Sequence, residues 1–151
     1  MKKKMSFVWL SLFIAFLSLF FVGCKSTSKI TGIDSSKLDG MWDLYYINVP
    51  EKSYDDLYKT DRKPYIRFNS KQNLVSGNNS CNSFSGSFNL DNNNINFNSP
   101  MTATKMYCQD GAGEQSFMIN LSRTTNYKIE NNGKTLHFMN EKKVLMSFSK
   151  K

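Results

Sequence analysis

The sequence predicts an all-β domain: a small antiparallel barrel-like fold of about eight strands with one short α-helix at about residues 113–123. Three observations support this prediction. Short runs with alternating apolar residues recur between residues 38 and 148, and a period of two is typical of β-strands. Turn-forming Asn, Gly, Asp and Pro separate these runs. One stretch instead has apolar residues at helical spacing, at Phe117 and Leu121.

The predicted strands follow one another with short connections. The first run is rich in aromatic residues and stops before Pro50. Asn131-Asn132-Gly133 predicts a tight hairpin turn, because Asn and Gly tolerate the positive φ angles that such a turn needs. The predicted strands are residues 38–49, 65–68, 73–77, 81–90, 94–98, 127–129, 135–139 and 144–148.

The N-terminal residues have the layout of a secretory signal. Lys2, Lys3 and Lys4 precede an apolar run from Met5 to Gly23. The run ends at Phe21-Val22-Gly23-Cys24, which resembles the lipobox of bacterial lipoproteins, where the cysteine is acylated and the chain is cut before it. We therefore expect a removed signal peptide at 1–23 and a lipid on Cys24. An uncleaved membrane helix is the alternative, since roughly 20 apolar residues span a bilayer.

The domain organisation follows from this N-terminus. Residues 24–37 are mostly small and polar and are interpreted as a flexible tether, and residues 38–151 as the domain. The expected location is the bacterial cell envelope. Lys25 is not the Asp that retains many lipoproteins in the inner membrane, so we expect the outer membrane, on its periplasmic or surface face.

The charge and the cysteines limit the possible partners. The net charge of +8 falls to +5 once the three lysines of the signal are removed, and this excess favours anionic lipid or polysaccharide surfaces. The basic residues are scattered, so we expect no nucleic-acid binding. With Cys24 acylated, Cys81 and Cys108 form an even pair in an oxidising compartment, which predicts a disulfide; two reduced, buried thiols are the alternative. No His lies near either cysteine, and no metal site is predicted.

No catalytic site and no cofactor are predicted. The single histidine, His137, lies between Leu136 and Phe138 in a predicted strand, where it is expected to face outward as a polar residue. The serines around Cys81 have no base placed near them in sequence. Glu114 is interpreted as a solvated charge at a helix start, a position that the helix dipole favours.

Two motifs carry a resemblance to a known family. Gly77, Cys81, Asn82, Phe84 and Gly86 follow the pattern Gly-x-x-x-Cys-Asn-x-Phe-x-Gly, which resembles the first signature of META domains, typified by the heat-shock protein HslJ. The second signature, Thr-x-Met-x-Cys, and the helix after it are matched by Thr104, Met106, Cys108, Glu114 and Phe117.

The resemblance covers about residues 38–149. It implies an eight-stranded barrel-like fold with one helix, no established enzyme activity, and an association with envelope stress and resistance to toxic compounds. The chain departs from the pattern at Phe88, where Tyr is commoner, and in a longer loop from Glu51 to Lys63, where we expect any specialisation to lie.

The signature residues also have structural interpretations. Gly77 and Gly86 suit a strand bend or bulge, and the Asn82 side chain can satisfy a turn. Thr104 and Met106 alternate along an expected strand, with Met106 filling a gap in the core. A ligand site near the signatures is the alternative.

The sequence therefore predicts a monomeric, non-enzymatic envelope lipoprotein. We expect it to act in envelope maintenance or stress response by binding an unidentified envelope protein or surface component, and to be held at the membrane by the lipid on Cys24. The alternative is a barrel that holds a small apolar ligand. That alternative requires an interior lined by small residues, whereas the sequence contains 12 Phe, 7 Tyr and 8 Met.

Overall fold

The computed structural model describes residues 34–59, 61–108 and 111–151, without the side chains of residues 98 and 99. These residues belong to a compact unit that runs from Gly32 to Lys151. The predicted signal peptide, the lipidation of Cys24 and most of the predicted tether lie outside the described residues. In the described part of the chain, no helix is long and apolar enough to cross a membrane.

Eight antiparallel strands close into a barrel in the order in which they occur along the chain, which confirms the predicted fold class. The last strand returns to pair with the first, and Leu44 lies opposite Phe148 at that closure. The strands are β1 Gly40–Ile47, β2 Tyr65–Asn69, β3 Leu74–Asn78, β4 Ser83–Asp91, β5 Asn94–Ala103, β6 Asn126–Glu130, β7 Thr135–Asn140 and β8 Lys143–Lys150.

Helices occupy the connections. The predicted helix is α2, Ala112–Arg123, between β5 and β6. A four-residue helix, α1 (Tyr54–Leu57), lies in the β1–β2 loop, where Ser53 and Asp56 form a capping box. A 3-10 helix, Ser35–Leu38, leads into β1. The segment interpreted as a flexible tether therefore ends, over its last residues, in regular structure.

The β6–β7 hairpin has the predicted turn. Asn131, Asn132 and Gly133 have φ angles of 52°, 55° and 85°, in the left-handed region that Asn and Gly enter at the lowest cost. The turn directs β7 back along β6, with Ile129 opposite Leu136.

Aromatic side chains fill the interior of the barrel. Phe88, Phe138 and Phe148 are fully buried. The Phe138 and Phe148 rings meet at an interplanar angle of 64° with their centroids 5.1 Å apart, within the range of favourable aromatic pairs. Fully buried Trp42 donates a hydrogen bond from Nε1 to Leu38 O at 2.7 Å. Eight-stranded barrels are just wide enough for side chains to fill, and here large rings do so.

The two ends of the barrel carry different structures. We call the end where β1 begins the proximal end; it carries Lys37, the turns at residues 70–73, 92–93 and 131–133, and the end of β8. The opposite, distal end carries the connections at residues 48–64, 79–82, 104–125 and 141–142. Phe117 of α2 is fully buried and packs against Phe84, with ring centroids 5.4 Å apart. The helix therefore covers the core at the distal end.

Candidate functional site

A disulfide joins two loops at the distal end. Cys81 lies in the β3–β4 loop and Cys108 in the connection from β5 to α2, and the structure bonds them with their Cα atoms 6.1 Å apart. The predicted disulfide is confirmed. It fastens the chain that leaves β5 to the loop that enters β4.

Buried Asn82 holds the same two segments together through its carboxamide. Its Oδ1 accepts hydrogen bonds from Thr104 Oγ1 at 2.6 Å and from Met106 N at 2.8 Å. Its Nδ2 donates to Glu114 Oε1 at 2.8 Å and to Met106 O at 3.3 Å. The expected turn role is therefore wrong for this side chain, because its partners lie 22 to 32 residues away.

Glu114 lies in the first turn of α2 and is half-buried. One carboxylate oxygen accepts the hydrogen bond from Asn82, and the other lies 3.0 Å from Cys108 Sγ. The interpretation of Glu114 as a solvated charge is wrong, because this carboxylate is half-buried and accepts a hydrogen bond from Asn82. The helix start favours its negative charge in addition.

Met106 lies outside the core. Its side chain is 53% exposed, and β5 ends at Ala103, three residues earlier. The prediction that Met106 fills a core gap is wrong, because the chain leaves the barrel after Ala103 to reach Asn82. The backbone of Met106, and not its side chain, contacts Asn82. The Thr104 hydroxyl donates a hydrogen bond to Asn82 and accepts one from Ser83 N at 3.2 Å.

The two signature glycines sit where a Cβ would clash. At Gly77 a Cβ would lie 2.2 Å from Tyr65 O and 2.6 Å from Phe84 Cζ. Gly77 therefore leaves room for the Phe84 ring that packs on α2. At Gly86 a Cβ would lie 2.6 Å from Met101 Sδ, and the β4–β5 register shifts there, as expected for a bulge.

Asn79 completes a cluster with Asn82, Glu114 and the Cys81–Cys108 disulfide, which we call the signature cluster. The sequence motifs do not single out Asn79. It is fully buried, and its Oδ1 accepts from Asn82 N at 2.7 Å and Cys81 N at 3.2 Å. The signal available in the sequence is an Asn at the start of a loop, which commonly bonds the backbone two or three residues later. Its Nδ2 is buried with no hydrogen-bond partner among the described residues.

The family model of the META domain matches residues 37–151, which include all of the barrel and its signature cluster. The chain belongs to the META domain family. No curated protein matches it significantly.

Solved structures show the same fold. A protein from Burkholderia xenovorans is 18% identical, with a TM-score of 0.58, and the match covers 78% of this chain and 87% of that one. A DUF4847 family protein from Bacteroides vulgatus ATCC 8482 is 14% identical, with a TM-score of 0.52, and the match covers 78% of this chain and 96% of that one. At these identities the likeness establishes the fold of this META domain.

One aromatic side chain of the META domain projects from the signature cluster. Tyr107 is 93% exposed, although its neighbours Met106 and Cys108 are held by Asn82 and by the disulfide. Met106, the residue before it, lines an open cleft of about 530 Å³. Its lining includes Cys81, Met106 and the charged residues Asp43, Asp61, Arg62, Lys63 and Lys151.

The long β1–β2 loop packs on α2. Tyr58 is 6% exposed and donates a hydrogen bond from its hydroxyl to Gly113 O at 2.9 Å. Desolvation by burial raises the pKa of Tyr58, and the neighbouring Tyr54 adds to this. A Cβ on Gly113 would lie 2.6 Å from Leu57 O. The loop in which we expected specialisation therefore also positions the start of α2.

His137 is hydrogen-bonded on the outer face of β7. Its Nδ1 lies 2.8 Å from Ser147 Oγ, and its Nε2 lies 3.2 Å from Glu130 Oε2. The sequence does not predict this series of contacts between Ser147, His137 and Glu130, because the three residues come from β8, β7 and β6. Ser147 is only 3% exposed, so a substrate has no direct approach to its hydroxyl. This arrangement is suited to joining the three strands.

Proposed function

We propose that this META domain is the binding module of a non-enzymatic, lipid-anchored envelope protein, which supports envelope maintenance or stress response by contacting an envelope protein or surface component. The observation that carries this proposal is the exposure of Tyr107 on a backbone held by the disulfide and by Asn82. Tyr is enriched among residues that contribute most to protein interfaces, because one rigid ring covers a large contact area.

A fixed backbone favours binding through this segment. Ordering a side chain at an interface costs about 0.5–1.5 kcal/mol, and ordering a loop costs more. Residues 104–108 already have their course determined by Asn82 and Cys81. A partner that covers Tyr107 therefore orders its side chain with little cost for the backbone.

The packed interior favours a surface contact over an enclosed ligand. A barrel that holds a small apolar molecule needs an internal space, and here Phe88, Phe138 and Phe148 are fully buried within it. Phe68 packs edge-on against Phe88, with centroids 5.1 Å apart. A ligand would have to displace several of these rings.

The envelope location rests on the sequence. Lys2 to Lys4, the apolar run and Cys24 support export and acylation. The disulfide between Cys81 and Cys108 agrees with an oxidising compartment.

Site-specific photocrosslinking of the full-length protein in its own bacterium tests the proposal. A photoreactive phenylalanine at position 107 is expected to give a discrete crosslinked product. The matched control places the same residue at Tyr45, which is 49% exposed on β1, and is expected to give none. With the crosslinked partner purified, Tyr107→Ala is expected to weaken binding at least tenfold without lowering the melting temperature.

Three outcomes contradict the proposal. The first is the same crosslinked products, or none, from both positions. The second is full binding by the Tyr107→Ala variant. The third is one equivalent of an apolar molecule bound to the purified protein in native mass spectrometry, which favours the ligand barrel instead.

A further inference from the structure

A basic cleft lies at the proximal end of the barrel, on the opposite end from the disulfide. Its volume is about 780 Å³. Four of the residues that line it are lysines, and all four are exposed: Lys37, Lys128, Lys134 and Lys150.

The positive charge of this cleft is only partly neutralised. Lys128 pairs with Glu130. Within the described part of the chain, Lys37, Lys134 and Lys150 have no carboxylate within ion-pair distance. The Lys150 ammonium lies 4.9 Å from the centroid of the Trp42 ring and 3.3 Å from Lys37 O. Three positive charges are therefore available to an anion in the cleft.

Closure of the barrel creates the cleft. Lys37 precedes β1, Lys134 follows the β6–β7 turn, and Lys150 ends β8. Lys150 N donates to Lys134 O at 2.9 Å, so the backbone holds these two residues side by side. Basic residues that are scattered in the sequence thus converge on one end of the barrel, where Asn93 and Asn132 also line the cleft.

We propose that this cleft binds the phosphates of anionic phospholipid headgroups and rests the proximal end of the barrel on the membrane. The proposal rests on the lipid anchor of the proposed function. Asp34 lies ten positions after Cys24, and ten extended residues span at most about 35 Å. A lipid on Cys24 and the cleft therefore reach the same membrane surface.

The chemistry fits a charged membrane surface. An anionic leaflet attracts lysines within about a Debye length, with a contribution of roughly fivefold in membrane affinity for each lysine. The lipid on Cys24 supplies a hydrophobic anchor, and a basic patch adds an electrostatic contact with an anionic surface. Resting on the proximal end would leave Tyr107, at the distal end, directed away from the membrane.

Lysine footprinting of the full-length, lipidated protein in vesicles tests the proposal. The protein is reconstituted either in phosphatidylcholine or in phosphatidylcholine with about 30% phosphatidylglycerol, a content chosen to give an anionic surface. We expect the acetylation rates of Lys37, Lys134 and Lys150 to fall at least fivefold in the anionic vesicles. The rates of Lys142, in the distal β7–β8 turn, and of Lys143, the first residue of β8, are expected to stay within twofold. High salt should reverse the protection.

A pair of charge-matched variants sharpens the test, with the acetylation of Lys128 as the readout. Lys37→Gln, Lys134→Gln and Lys150→Gln together are expected to abolish the protection of Lys128 in anionic vesicles. Lys105→Gln, Lys142→Gln and Lys143→Gln together remove the same charge from the distal end and should leave that protection intact.

Several outcomes overturn this proposal. Equal protection of these lysines in neutral and anionic vesicles would mean that closeness to any membrane, and not anionic lipid, slows their acetylation. Protection by inorganic phosphate in neutral vesicles, with nothing added by phosphatidylglycerol, would indicate a site for a soluble anion. Equal loss of Lys128 protection in the two triple variants would indicate an effect of net charge and not of the cleft. Failure of lipidation is detected separately by the mass of the protein, and overturns the anchor of the proposed function.

Discussion

At the scale of single residues, Asn82 determines the course of the chain around it. A carboxamide offers two donors and two acceptor sites, and four hydrogen bonds of Asn82 reach Thr104, Met106 and Glu114. No other side-chain type of this size provides both functions in one plane. The requirement for Asn at this place in the signature therefore has a physical cause.

Replacing Asn82 by Ala should lower the free energy of unfolding by about 2–3 kcal/mol, because it leaves partly buried donors and acceptors unpaired. Urea unfolding monitored by fluorescence measures this loss. The control is Asn89→Ala, on an exposed position of β4, where we expect a change within about 0.5 kcal/mol. Equal stability of the two variants would contradict the role assigned to Asn82.

The signature residues could be located from sequence, but their contacts could not. The pattern of Gly77, Asn82 and Gly86 is local and can be found by inspection. The partners of Asn82 are 22 to 32 residues away, so no local rule connects them. Met106 shows the result: its alternation with Thr104 predicted a strand, although tertiary hydrogen bonds to Asn82 determine the backbone there.

At the scale of elements, the β1–β2 loop and α2 depend on each other. Tyr58 is buried against the start of the helix, and Gly113 leaves space for its ring. The hydrogen bond from Tyr58 to Gly113 O spans 55 residues. The loop is therefore part of the structure that presents Glu114 to Asn82.

This contact predicts a sensitivity to alkaline pH. Burial raises the pKa of Tyr58 in the folded protein above its value of about 10 in the unfolded chain. Above pH 10 the unfolded chain loses this proton and the folded protein keeps it, so the free energy of unfolding falls with rising pH. The contribution of Tyr58 is at most about 1.4 kcal/mol per pH unit.

Tyr58→Phe tests this, with urea unfolding at pH 8 and pH 11. The variant should be about 1 kcal/mol less stable at pH 8, because Gly113 O loses its donor, and should then lose less stability between the two pH values than the wild type. Tyr54 and Tyr127, whose pKa values burial also raises, remain in both proteins, so part of the pH dependence persists in the variant. Identical losses in the two proteins would show that Tyr58 does not contribute.

Strand β5 is longer than its alternating pattern predicts. The strand expected at residues 94–98 continues to Ala103 as β5. Pro100 argues against a strand interior, since it removes a hydrogen-bond donor. However, β5 joins β6 at a single register pair, Asn94 with Asn126, while Thr102 and Ala103 pair with β4. The edge of β5 that faces β6 therefore has few ladder hydrogen bonds near Pro100, and a missing donor costs little there.

At the scale of the whole molecule, the disulfide restrains the distal end. It closes a loop with a sequence separation of 27, which in the chain-entropy model contributes about 3–4 kcal/mol. This is a large fraction of the stability of a small domain. The same bond holds residues 104–108, so stability and the proposed contact surface depend on one link.

Cys81→Ala with Cys108→Ala should therefore lower the free energy of unfolding by about 3–4 kcal/mol, as measured by urea unfolding without reductant. Adding reductant should lower the free energy of unfolding of the wild type towards that of the double variant. It should not change the free energy of unfolding of the double variant. A wild type that is insensitive to reductant would contradict this assignment.

The overall architecture was accessible from sequence because strand alternation and turn chemistry are local. The number of strands, the helix near 113–123 and the turn at Asn131-Asn132-Gly133 all follow from such signals. The basic cleft was not accessible, because Lys37, Lys134 and Lys150 meet only when the barrel closes. In the linear sequence the same lysines look scattered.

The order of the strands also determines how the chain can fold. Every strand pairs with its neighbour in sequence except at the junction of β1 with β8. The seven neighbouring pairs can form as the chain grows, although the β5–β6 pair must close over α2. The β1–β8 pair closes a loop of about one hundred residues, and that closure carries the largest entropic cost. During synthesis from the N-terminus, β1 must therefore keep one edge unpaired until the last strand has been made.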